Sequence, residues 1–185
     1  RQLWLAGRVT GLRSLDADGN PKDLTSTNQY GTVGFLPFGD MAGPMDRLVV
    51  DIECETEEEL PDAPLAIGVR VTGPSPPADA GVSFTRPLQV TLRSGTQSWD
   101  VPLLLDSTQG FARDGVCLLD LSELGRMHRF SLEFRQPGGC AVPPRLLQLA
   151  VNVLQVVQGR SVIHELHVAN GQPEQRMQLR EPGLQ

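Results

Sequence analysis

Aromatic residues are scarce in this chain: one Tyr, two Trp and six Phe in 185 residues. Sugar-binding surfaces rely on stacked rings, so a carbohydrate site would have to draw on Trp4, Trp99 or Tyr30. Cysteine is scarce too. Cys54, Cys117 and Cys140 are odd in number, far apart and without a CxxC pair. That excludes a disulfide framework and a zinc knuckle. They read as small buried hydrophobes, with Cys54 at an inward strand position, and fit synthesis in a reducing cytoplasm. Basic clusters are missing and the net charge is -6. Phosphate binding needs grouped Lys and Arg, so nucleic acid is not an expected partner. No apolar run nears the roughly 18 residues of a membrane span, so membrane insertion is not expected. No signal-peptide pattern opens the chain. Arg1 stands where an initiator Met would, which gives the expectation of a piece of a longer protein, folded as one domain over residues 1–185.

Catalytic motifs are also lacking. There is no GxSxG elbow, no GxGxxG and no phosphate loop. His164 and His167 are three apart, not the i, i+4 pair of HExxH, and on a strand they face opposite ways. His128 stands alone beside Arg129. The run Asp16-Ala17-Asp18-Gly19-Asn20 begins like a calcium loop. The match fails at Pro21, where such a loop needs Gly, and at Thr27, where it needs a bidentate Glu. Carboxylates are plentiful, but none sits in an apolar stretch that would raise its pKa for acid catalysis. Glu53 and Glu133 fall on outward faces and read as surface charges. No nucleophile–base–orienter set can be assembled, so no catalytic, cofactor-binding or metal residue is assigned, and the chain is not expected to be an enzyme.

What is abundant is turn chemistry: 19 Gly and 15 Pro separate short apolar segments. Strands are expected at 3–12, 47–55, 65–72, 88–93, 98–105, 116–121, 129–135, 146–158, 161–168 and 175–179. The clearest are Arg47 to Glu55, with Val50, Ile52 and Cys54 on one face, and Arg129 to Arg135, with Phe130, Leu132 and Phe134 inward. Pro102 cannot donate to a ladder, so its strand belongs at an edge, with Trp99, Val101, Leu103 and Leu105 on one face. The expected fold is all-β: an antiparallel two-sheet β-sandwich, jelly-roll-like, of about nine or ten strands. Residues 24–40 read as irregular, with Phe35 and Phe38 plugging one end of the core. Residues 56–64 read as an acidic loop. Phe35, Phe38 and Phe111, as loop aromatics, are the candidate interface residues.

The C-terminal stretch carries a resemblance. Pro143-Pro144-Arg145-Leu146, then Val151-Asn152-Val153 and Gln158, then Asn170-Gly171-Gln172-Pro173-Glu174-Gln175 with Leu179 and Pro182, resembles the baseplate assembly proteins of contractile phage tails and tail-derived injection systems. Phe35-Leu36-Pro37-Phe38-Gly39 and Gly110-Phe111-Ala112-Arg113-Asp114-Gly115-Val116 fit the same family. The resemblance begins near residue 35, and the first 30 residues match nothing in the pattern. Arg176-Met177 stands where the family turn continues with an aromatic. The resemblance implies a structural role in a β-rich domain, other baseplate or tail subunits as partners, and membership of a phage-like particle made in the bacterial cytoplasm. It brings no catalytic residues. A β-sandwich that binds a surface glycan is the alternative, by fold analogy alone.

Overall fold

Half-buried strands alternate inward and outward side chains, and the longest strand among the described residues does so from Val50 to Cys54. The computed structural model describes residues 7–59, 64–72, 88–122, 124, 126–139, 143–152, 154–158 and 162–166. Its elements are β1 (Arg8–Leu15), β2 (Pro21–Asp23), α1 (Thr25–Tyr30), β3 (Arg47–Glu59), β4 (Leu65–Val71), β5 (Gln89–Ser94), β6 (Gln97–Asp100), β7 (Leu103–Asp106), β8 (Gly115–Leu119), β9 (Arg126–Arg135), β10 (Leu146–Val151), β11 (Leu154–Gln158) and β12 (Val162–Leu166).

Ten of these strands form two antiparallel sheets. The larger has the order β2-β1-β3-β9-β5-β6 and the smaller β10-β4-β8-β7. β11 and β12 pair with each other as a separate hairpin. β3 lies beside β9 in one sheet and β4 beside β8 in the other. The chain therefore crosses between sheets as two nested pairs, the winding of a jelly roll. The all-β sandwich expected from the sequence is the observed fold. Leu48, Val50, Ile52, Phe130, Leu132 and Phe134 from the larger sheet meet Leu65, Ile67, Cys117, Leu119, Leu146 and Leu149 from the smaller in a single core. No helix among the described residues is long and apolar enough to cross a membrane.

Four local expectations change. The stretch 24–40 contains the short helix α1, made of TSTNQY. That composition has little helix propensity, so tertiary contacts hold it. Asn28 is buried and its side chain bonds both ways to the backbone of Leu149 on edge strand β10: Nδ2 donates to the carbonyl at 2.9 Å, and Oδ1 accepts from the N–H at 2.6 Å. The helix thus covers an edge that would otherwise be open. Next, β3 runs on to Glu59, through residues expected to be loop, because the backbone re-pairs with β9 at Glu58↔Met127 and Glu59↔Arg126 after a register shift. The single strand expected at 98–105 is two strands in different sheets. β6 ends one sheet, β7 ends the other, and the chain changes sheets at Val101-Pro102. The edge expected from Pro102 is found, but the register shift between Leu103 and Leu105 leaves Leu105 47% exposed rather than inward. Finally, 146–158 is broken at Asn152, whose φ of 61° turns β10 into β11.

The three loop phenylalanines also change role. Phe35, Phe38 and Phe111 are 5%, 1% and 0% exposed. Phe38 stacks on Phe111 at 5.9 Å and Phe111 leans on Phe134 at 5.5 Å. Rings buried against one another have no surface to offer a partner, so these residues are core and not interface. Phe35 and Phe38 pack in the core, as the packing reading expected, with Phe35 bonded to Leu146 through both backbone groups at 2.8 Å. Trp4, Cys140, His167, the loop 73–81 and the turn and strand expected within 170–179 lie outside the described residues.

Candidate docking face

Alternation sends one set of β3, β9, β1 and β5 side chains into the core and the other to the outer face of the larger sheet. On that outer face the four inner strands place Arg8, Arg13, Arg47, Arg93, Arg129 and Arg135 among Asp51, Glu53 and Glu133. The edge strands add Asp23 and Asp100.

Each of the three inner carboxylates is bracketed by donors from neighbouring strands. Glu53 takes Arg129 Nε at 2.8 Å on one oxygen and Arg8 Nη2 at 3.2 Å on the other. Asp51 accepts Arg13 Nη2 at 3.0 and 2.9 Å and Ser131 Oγ at 2.6 Å. Glu133 takes Arg93 Nε at 2.8 Å, with Arg47 Nη1 at 3.6 Å. Gly11 makes room for this. A Cβ there would sit 2.6 Å from Asp51 Oδ2, so a side chain would displace the carboxylate.

The pairs are layered by depth. The carboxylate side chains of Glu133, Glu53 and Asp51 are 9%, 18% and 28% exposed, whereas those of Arg93, Arg129, Arg8 and Arg13 are 53%, 74%, 68% and 43%. In these four pairs the carboxylate lies beneath its guanidinium; Arg47, 24% exposed, is the exception and lies as deep as the carboxylates. Among the described residues the most exposed groups of this face are the guanidiniums of Arg129, Arg8 and Arg93. Pairs this exposed add little to stability, because solvent screens them and holding two long side chains in one geometry costs entropy. Their main consequence is the surface they present.

The same arrangement decides the chemistry. Hydrogen bonds from Arg129 and then Arg8 hold the Glu53 carboxyl below the usual carboxylate range. A general acid at neutral pH needs the opposite shift. Glu53 pairs across to Arg129 and Glu133 to Val49, so four residues of β3 separate them. That spacing is about 13 Å, beyond the roughly 5–9.5 Å at which two carboxyls act on one glycosidic bond. His128 reaches Glu53 only at 3.8 Å. His164 lies on β12, opposite Val156.

A second polar cluster lies in the β7–β8 loop. Asp106 accepts from Thr108 N at 2.8 Å, Thr108 Oγ1 at 2.5 Å and Gly110 N at 2.9 Å, and Cys117 Sγ lies 3.5 Å away. Burial, and then the Asp106 charge, push the Cys117 thiol far up, so it stays protonated and is no nucleophile. The cluster holds a loop in which Gln109, Gly110 and Phe111 all have positive φ, and that path drives the Phe111 ring into the core. Asp16 is likewise engaged, since both its oxygens bind Asn20 at 2.8 Å and close the β1–β2 turn. Among the described residues no group of three or more His, Cys, Asp or Glu is placed to hold a metal.

Of the sugar-stacking candidates, Trp99 is partly buried against the core and Tyr30 is 74% exposed at the end of α1. The comparisons with family models, curated proteins and solved structures give no match to this chain. Sequence reasoning missed the ion-pair network of this face because it assigned Glu53 and Glu133 singly to the surface. The signal available was the outward charge of Arg47, Asp51 and Glu53 in RLVVDIECE and of Arg129, Glu133 and Arg135 in RFSLEFR.

Proposed function

We propose that this chain is a structural, non-catalytic module of a contractile-tail baseplate protein, serving to dock neighbouring subunits during baseplate assembly. One observation carries the docking part: the outer face of the larger sheet, where four ion pairs set a carboxylate beneath a more exposed guanidinium. Such a surface gives orientation and rate to protein association. The motif resemblance in residues 35–182 supplies the assembly. Partners are then other baseplate or tail subunits, and the protein is made in the bacterial cytoplasm and incorporated into a phage-like particle.

Deletion of this segment from the protein that carries it, followed by electron microscopy of purified particles, tests the reading. Missing or malformed particles are the expected result. Intact particles that no longer attach to cells would favour glycan recognition instead, and intact, fully active particles would remove both.

A further inference from the structure

The outer face of the larger sheet is unevenly neutralised. Arg47 and Arg135 are direct cross-strand partners, an arrangement of like charges that weakens a sheet. Arg47 shares Glu133 with Arg93, and its own Nε is buried without a hydrogen-bond partner. The Arg135 guanidinium meets only a thioether, Met45 Sδ at 3.5 Å, and forms no ion pair among the described residues. The loop that carries Met45 turns outward beside it. Met45 is 53% and Met41 86% exposed, and the backbone of the turn after β9 rests on the same loop at Ala42 and Pro44. One corner of the face therefore combines surplus guanidinium donors of Arg135 with the solvent-facing Met45, in a loop that also exposes Met41.

We propose that this corner is where a partner protein docks, with an acidic side chain seated between Arg47 and Arg135 and an apolar neighbour resting on Met41 and Met45. The inference rests on the docking role proposed above and names the partner chemistry. A carboxylate placed there would relieve the Arg47–Arg135 opposition and use the Arg135 donors that the described residues leave over. Methionine supplies an adaptable apolar contact beside it. A uniform polyanion fits poorly. Nucleic acid spaces one phosphate about every 3.4 Å along a strand, and its charges would fall on Glu133, Asp51 and Glu53 as well as on the arginines. It also offers the methionines nothing apolar. The chain has one lysine, Lys22, so planar, bidentate guanidinium recognition of carboxylates dominates its cationic surface.

The test is a titration of the isotope-labelled 185-residue chain with a capped peptide of alternating glutamate and leucine, followed by two-dimensional NMR. Saturable shifts centred on Arg47, Arg135, Met41 and Met45 are expected. Affinity should fall about tenfold in Arg135→Gln, the worth of one charge-assisted hydrogen bond. It should also fall in Met41→Ser/Met45→Ser and be unchanged in Arg70→Gln, an exposed arginine of the smaller sheet. Unchanged spectra far from the site show that each variant is folded. Shifts centred elsewhere, equal binding by Arg135→Gln, no binding at millimolar peptide, or tighter binding of an oligonucleotide or a sulfated oligosaccharide would each overturn the proposal. Intact particles formed with Arg135→Glu in the full protein would also remove this corner, while the deletion experiment judges the structural role separately.

Discussion

Gly95 turns β5 into β6 with a φ of 59° and has no atom near the position a Cβ would take. Substitution there meets no steric neighbour, so its cost is the left-handed backbone alone. Gly95→Ala should lower stability by about 1–2 kcal/mol in urea denaturation, and Gly95→Asn by less, since Asn tolerates this region. Glu53 gives a residue-scale prediction about pH. Its folded-state pKa is depressed, so its contribution to stability is present above the unfolded value of 4.5 and is lost as pH falls through the folded value. Asp16, Asp23 and Asp120 are lowered in the same direction by hydrogen bonds within their turns. Stability measured against pH should therefore decline below about pH 5, where such carboxylates begin to protonate. The decline should be shallower in Glu53→Gln than in the parent. An equally steep decline would mean that Glu53 keeps its Arg129 and Arg8 contacts in the unfolded chain or lacks them when folded.

β7 shows how much of an element can be read from its residues. The proline placed the segment at an edge, because a missing N–H cannot serve a ladder on both sides. It could not reveal that the chain leaves one sheet and joins the other at that proline, since both sheets expose a free edge there. The bulge between Leu103 and Leu105 then turns Leu104 and Leu105 outward, 55% and 47% exposed. An apolar open edge invites pairing with another chain. Leu104→Lys with Leu105→Lys should change stability by less than about 0.5 kcal/mol, as surface substitutions do. It should also reduce self-association in sedimentation velocity at high protein concentration. β3 and β9 were the most legible elements, because Val50, Ile52 and Cys54 on one and Phe130, Leu132 and Phe134 on the other are buried at an unbroken period of two. α1 was not legible. TSTNQY carries neither a helical apolar stripe nor strong helix formers, and what forms the helix is the reach of Asn28 to β10.

Across the whole molecule, sandwich contacts are long-range, and this is also why the ion pairs on the outer face of the larger sheet could not be read in advance, although its outward charges could. Arg13, Asp51 and Ser131 come from three strands, and no local pattern states that they meet. The same topology bears on folding. Pairing β3 with β9 closes a loop of about 80 residues, so folding should take milliseconds to seconds, in the range of all-β sandwiches. The contact of Asn28 with Leu149 spans 121 residues and joins α1 to the outermost strand of the smaller sheet. Asn28→Ala would remove two hydrogen bonds and leave the Leu149 N–H and carbonyl without partners at a buried position, a loss of about 2–4 kcal/mol. Because an edge clasp of this span closes only after both sheets have paired, the loss should appear as faster unfolding, with the refolding rate nearly unchanged. Stopped-flow refolding and unfolding of Asn28→Ala against the parent measures this. Slowed refolding with unchanged unfolding would place α1 and β10 in the folding nucleus, and the clasp would then organise the sandwich instead of sealing it.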